Sequence, residues 1–161
     1  MTQKEELLAS FDDVLSHKWE SLDAALRGVS EEEVHYQHPA YSDEPDELHY
    51  PKAGTILWHL VHLAQCYRHY TTLISERPVR TPEPEAPEAN ALDEGINNFR
   101  LFRSELRNVI ASLRDGELNE KMSNGDTVAL FVRNVVRHDA WHAAQIVLVK
   151  RLYKYHVRGN V

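Results

Sequence analysis

Cysteine is nearly absent from this chain. A single residue, Cys66, stands among 161, so an internal disulfide is excluded. Long apolar runs are missing too. The longest, from Val128 to Val132, falls far short of the roughly 20 residues a membrane span needs. Positive charge is in the minority: 18 Lys and Arg face 25 Asp and Glu, for a net charge of −7. No lysine/arginine run and no aromatic–basic interleaving is present, so the electrostatic footprint of a nucleic-acid binder is lacking. The first residues, Met1 to Glu6, are charged at once and lack the apolar region of a signal peptide. These absences lead to the expectation of a cytoplasmic, soluble protein with no nucleic-acid and no membrane partner. The length suits one domain, residues 1–161, around one core.

What is present is helical periodicity, with neither a repeat nor a stretch of strand-like alternation. Residues 3–27 read as a first helix with Leu8, Phe11, Leu15, Trp19, Leu22 and Leu26 on one face, stopped by Gly28. Ser30-Glu31-Glu32-Glu33 is a capping-box pattern that opens a short turn of helix. Residues 35–54 carry Pro39, Pro45, Pro51 and Gly54, which break any regular element. They also carry His35, Tyr36, His38, Tyr41, His49 and Tyr50. This segment is either an ordinary connection or a loop over the mouth of a site.

A second helix over 55–76 presents Ile56, Leu60, Leu63, Tyr67, Tyr70 and Ile74 on one face. Residues 77–91, with four prolines and alternating glutamates, form a linker expected to be extended, exposed and mobile. A third helix over 92–114 points Leu92, Ile96, Phe99, Leu106, Ile110 and Leu113 inward. Asn124 to Thr127 make a turn and a helix start, and a fourth helix runs over 127–155. Four long amphipathic helices predict an all-α antiparallel four-helix bundle.

The fourth helix carries the chemistry. Phe131, Val135, His138, His142, Gln145, Val149 and Leu152 alternate steps of four and three, and four of these seven are apolar, as a core-facing stripe requires. The middle three are polar, and burying such groups unpartnered costs about 1–3 kcal/mol each. A metal, a ligand, waters or other polar side chains must therefore meet them. Spacing alone is weak, since random placement of the ten histidines yields about 0.6 pairs at i,i+4. On this stripe, a metal pair and a hydrogen-bonded core pair both remain open. Asp139 invites comparison with the Glu of HExxH zinc proteases. It is one carbon shorter and about 100° around the helix from His138, which places it at the surface or in support of a histidine. On the second helix, His59 is nearer the apolar stripe and His62 is more lateral, and periodicity does not choose between them. A carboxylate-bridged di-iron site requires Glu-x-x-His on two helices, and neither histidine-bearing helix has it.

The run His138-Asp139-Ala140-Trp141-His142-Ala143-Ala144-Gln145-Ile146 resembles the H-D-x-[YW]-H-x-[GA]-Q-[IL] signature of the DinB/YfiT-like superfamily of metalloenzymes. Ala144 stands where Gly is common. Thr55 to Ala64 is similar to that family's second-helix motif, in which a Ser or Thr is followed seven residues later by His and then Leu-Ala. The resemblance implies a four-helix bundle with a three-histidine centre for a divalent metal, zinc or nickel. Its register selects His62, with His138 and His142, as ligands. It further implies a small-molecule substrate and chemistry of the S-transferase type with a low-molecular-weight thiol such as bacillithiol or mycothiol, or a hydrolase. The competing expectation is a non-catalytic metal-binding or stress-response bundle. Assembly as a homodimer is also suggested by the resemblance, although no stripe in the sequence demands it.

Overall fold

The computed structural model describes residues 1–39, 51–157 and 159. Helix boundaries follow the capping chemistry of the sequence. Helix α1, Gln3–Ser16, opens on Thr2, whose hydroxyl accepts from the Glu5 amide while the Glu5 carboxylate accepts from the Thr2 amide. It stops well before residue 27. The His17 imidazole accepts from the Glu20 amide, and Ser21 caps a new short helix, α2, Leu22–Leu26, by accepting from Ala24. Ser21 thus offers the backbone an alternative to continued helix. The break turns Trp19 away from the core that periodicity assigned it to, and it is 70% exposed. Ser30 caps α3, Glu31–Val34, as its sequence pattern implies.

Helix α4, Ile56–Ser75, is capped by Thr55. Helix α5 spans Leu92–Ser112. A 3₁₀ turn follows at Asp115–Asn119, and α6, Val128–Val157, completes the chain of elements. The long helices α1, α4, α5 and α6 form the expected all-α antiparallel four-helix bundle, with α4 against α5 and α1 against α6 as major pairings. Among the described residues there is no strand, only one isolated bridge between Lys121 and Thr127. No helix among them is long and apolar enough to cross a membrane.

The core runs through all four long helices, with Phe11, Leu57, Leu60, Phe99, Leu106, Val132 and Ile146 in one apolar cluster. Each such side chain contributes about 1.5–3 kcal/mol when fully buried. Gly95 lets α5 approach α4 closely: a Cβ there would stand 3.0 Å from Leu57 Cδ1 and 3.2 Å from Leu60 Cδ1.

Two sequence expectations are corrected. The buried stripe of α6 is Val132, Val135, Asp139, His142, Ile146, Val149 and Tyr153, one residue on from the expected seam at alternate turns. Five of these seven are apolar, one more than in the expected set, so the helix settles on them. The 77–91 linker is extended but tied down. Gln65, Arg68 and Asn98 donate to the carbonyls of Pro84, Glu85 and Glu88, and Thr81 and Ala89 are buried. Prolines lack N–H groups but keep their carbonyls, and polar side chains of α4 and α5 satisfy acceptors along this segment.

Candidate metal centre

Helix α4 brings His62, and α6 brings His138 and His142, to one place. The donor atoms of these three residues all lie within 4.8 Å of one another, a grouping able to hold a metal ion. The two α6 residues sit one turn apart, with Nε2 to Nε2 at 3.0 Å. The His62 ring centre is 5.5 Å from that of His138 and 5.1 Å from that of His142. His142 is fully buried, while His62 and His138 are half-buried, so the cluster has a deep and a shallow side.

Four neighbours shape it. His59 is buried, and its Nδ1 lies 2.8 Å from Nδ1 of His142. Trp58 stacks flat on His62, with ring centres 5.0 Å apart and planes 4° apart. The Cys66 sulfur is 3.5 Å from His62 Nε2. Tyr70 places its ring edge-on to Phe131 and 6.3 Å from His138.

Burial keeps the imidazoles neutral, as metal ligands must be. Desolvation lowers the pKa of His62 and of His138. It pushes His59 down to about 4 and, reinforced by His138, His59 and His62, takes His142 down to about 2. Glu83, from the 77–91 segment, acts the other way on His62 and tends to raise its pKa. Burial pushes the Cys66 thiol up to about 11 and the Tyr70 phenol higher still, so both are protonated near neutral pH. The donor set therefore consists of three neutral nitrogens with no cationic side chain among them.

Asp139 is not at the surface. Its side chain is fully buried, accepts from the Tyr67 hydroxyl at 2.8 Å and faces the Arg103 guanidinium at 3.4 Å. Arg103 also donates to the Phe11 carbonyl and lies 3.9 Å over the Phe11 ring. Burial raises the Asp139 pKa to about 6, against the opposing pull of Arg103 and Tyr67. This knot joins α1, α4, α5 and α6. Arg103 fills the gap in the α5 stripe between Phe99 and Leu106, a place where sequence reading named no residue.

The 35–54 segment is described only in part, and Tyr41, His49 and Tyr50 lie outside the described residues. His35 pairs with Glu31, Tyr36 packs edge-on against Tyr153, and His38 lies near His156. Tyr153 and His156 stand about 16–21 Å along α6 from His142 at 1.5 Å per residue. Tyr36 and His38 thus pack toward the far end of α6 from His142. His69 is half-buried on α4 and is not part of the cluster. Sequence reading missed Trp58 and Cys66 at the site, although both stand one helical turn from His62.

A family model described as the DinB superfamily covers residues 15–146, from the end of α1 past His142. No curated protein matches the chain.

Proposed function

From the chain's membership of the DinB superfamily, we propose that it is a divalent-metal-dependent enzyme acting on a small molecule, as a thiol S-transferase or a hydrolase. The observation that carries this reading is the convergence of His62, His138 and His142 within 4.8 Å. These three would hold the ion through neutral imidazole nitrogens, zinc or nickel being the ions the donor set suits. A divalent ion there supplies Lewis acidity, lowering the pKa of a thiol or water that it binds.

The chain's own residues prepare that place. Trp58 limits rotation of the His62 ring by stacking on it. Leu60, Leu63 and Val135, on the same two helices as the histidines, are buried in the core. The half-buried edges of His62 and His138 give a substrate its approach. Glu83, whose charge acts on His62, Cys66 and Tyr70, adds negative potential there and disfavours a strongly anionic substrate.

The test is metal analysis of protein purified without a histidine tag, then a screen of low-molecular-weight thiols and simple esters and amides with zinc or nickel restored. The expected result is metal-dependent turnover that His62→Ala abolishes. Stoichiometric metal with no turnover on any class would favour the non-catalytic metal-binding bundle instead.

A further inference from the structure

We infer that His59, outside the proposed ligand set, is a positioning residue that holds His142 in the tautomer whose Nε2 lone pair is free to bind metal. The inference rests on the three-histidine reading above. His59 Nδ1 and His142 Nδ1 are 2.8 Å apart, and His142 Nε2 and His138 Nε2 are 3.0 Å apart. At such distances each pair of nitrogens shares one proton, because two facing lone pairs or two facing N–H groups repel. The three neutral rings thus form a chain in which one proton direction fixes the others.

Two directions are available. In one, His59 Nδ1–H donates to His142, His142 Nε2–H donates to His138, and His138 keeps its proton on Nδ1. That atom is buried and has no partner, so an N–H there would bear the full desolvation penalty of an unmet donor. In the other, His138 Nε2–H donates to His142 Nε2, and His142 Nδ1–H donates to His59 Nδ1. His138 Nδ1 is then an idle acceptor, which is the less costly state. The second direction puts the proton of His142 on the nitrogen facing His59 and leaves its Nε2 as an acceptor facing the cluster; a metal bound there would take over the place of the His138 N–H, and His138 would then ligate through Nε2 with its proton moved to Nδ1, or through Nδ1 itself. Metal-ligating histidines commonly have their other ring nitrogen held by such a partner. Here the partner is a third imidazole, only 4% exposed and packed edge-on against Trp58.

Two nearly isosteric variants isolate the hydrogen bond. Asn carries its carbonyl oxygen on Cγ, where His carries Nδ1, so His59→Asn keeps an acceptor in place. His59→Leu puts a methyl there. In the metal-free protein, nitrogen-edited imidazole spectra are expected to show His142 protonated on Nδ1 in the wild type and in His59→Asn, and shifted toward Nε2 in His59→Leu. Zinc affinity by chelator competition is expected to fall about 10–100-fold in His59→Leu and to change less than about threefold in His59→Asn. The inference is overturned if wild-type His142 carries its proton on Nε2, if His59→Leu binds zinc like the wild type, or if a folded His59→Asn is as weak as His59→Leu. Failure of the wild type itself to bind zinc would defeat the three-histidine reading, and the imidazole spectra would then decide the role of His59. If His59→Leu does not fold, the wild-type and His59→Asn spectra decide it.

Discussion

Two polar clusters occupy the same bundle core, and they are neighbours on α6, where His138 and His142 flank Asp139. They differ in the kinds of group they bring together and in how far they open to solvent. Around Asp139, carboxylate, phenol and guanidinium complement one another, drawn from α4, α5 and α6, with the Phe11 backbone of α1 closing the set. Arg103 Nε is buried without a hydrogen-bond partner. Around His142 the groups are alike: imidazole faces imidazole, no charge opposes another, and His138 Nδ1 is left over. A closed set of unlike groups can knit helices together. A set of like donor atoms, half open to solvent, is incomplete until something binds it. The comparison separates a structural knot from a site by whether the partners are internal.

The largest effect is expected where the closed cluster is broken. Arg103→Met leaves Asp139 buried without its counter-charge, and the predicted loss is about 3–5 kcal/mol in urea unfolding. A loss below about 1 kcal/mol would deny the knot a structural role. Acid is expected to act on the open cluster. His59 and His142 have folded pKa values near 4 and 2, below the ordinary 6.5, so their stability contribution is present above pH 6.5 and is lost as pH falls. Asp139, raised to about 6, has the opposite sign: its contribution is present below pH 3.8 and is lost as pH rises through 6. At about 1.4 kcal/mol per pKa unit, the two histidines outweigh the one carboxylate. The metal-free protein is predicted to lose about 3 kcal/mol between pH 7 and pH 4.5. An unfolding free energy that stays level or rises on acidification would contradict this assignment.

Chelation comes next in size. The apolar core is complete without an ion, so the stripped protein is expected to stay helical. It would lose about 2.7 kcal/mol relative to protein held at a free metal concentration of 100 Kd. Complete unfolding at room temperature would make the metal structural instead. The smallest effect is at the break after α1. Trp19 is 70% exposed, and Trp19→Ser is predicted to shift stability by no more than about 0.5 kcal/mol. A larger loss in thermal melts would return Trp19 to the core.

The helices were legible because their apolar periodicity and caps agree, as at Thr55 and Ser30. The α1–α2 break was hidden because apolar spacing carries straight through it, while the stop depends on the Ser21 side chain. His138 and His142 were legible on the periodic stripe of the fourth helix, but the choice of His62 came through the family signature and not through periodicity, which placed His59 nearer the stripe. In the structure His59 is buried on the core side, and His62 takes the lateral place beside His138 and His142. Asp139 and Arg103 escaped because a charged residue inside a stripe reads as a gap. Only their mutual pairing across α5 and α6, which one chain's pattern does not display, explains their burial. The tie-down of the 77–91 segment was equally invisible, since it depends on α4 and α5 side chains meeting its carbonyls.

X-ray absorption on zinc-loaded protein tests the central claim most directly. Three imidazoles with an open position predict nitrogen or oxygen neighbours at about 2.0–2.1 Å, with three rings in the multiple-scattering pattern and no sulfur. A sulfur shell at about 2.3 Å would place Cys66, now 3.5 Å from His62 Nε2, on the metal and close the site. That result, or failure to take up zinc at one ion per chain, would contradict the account.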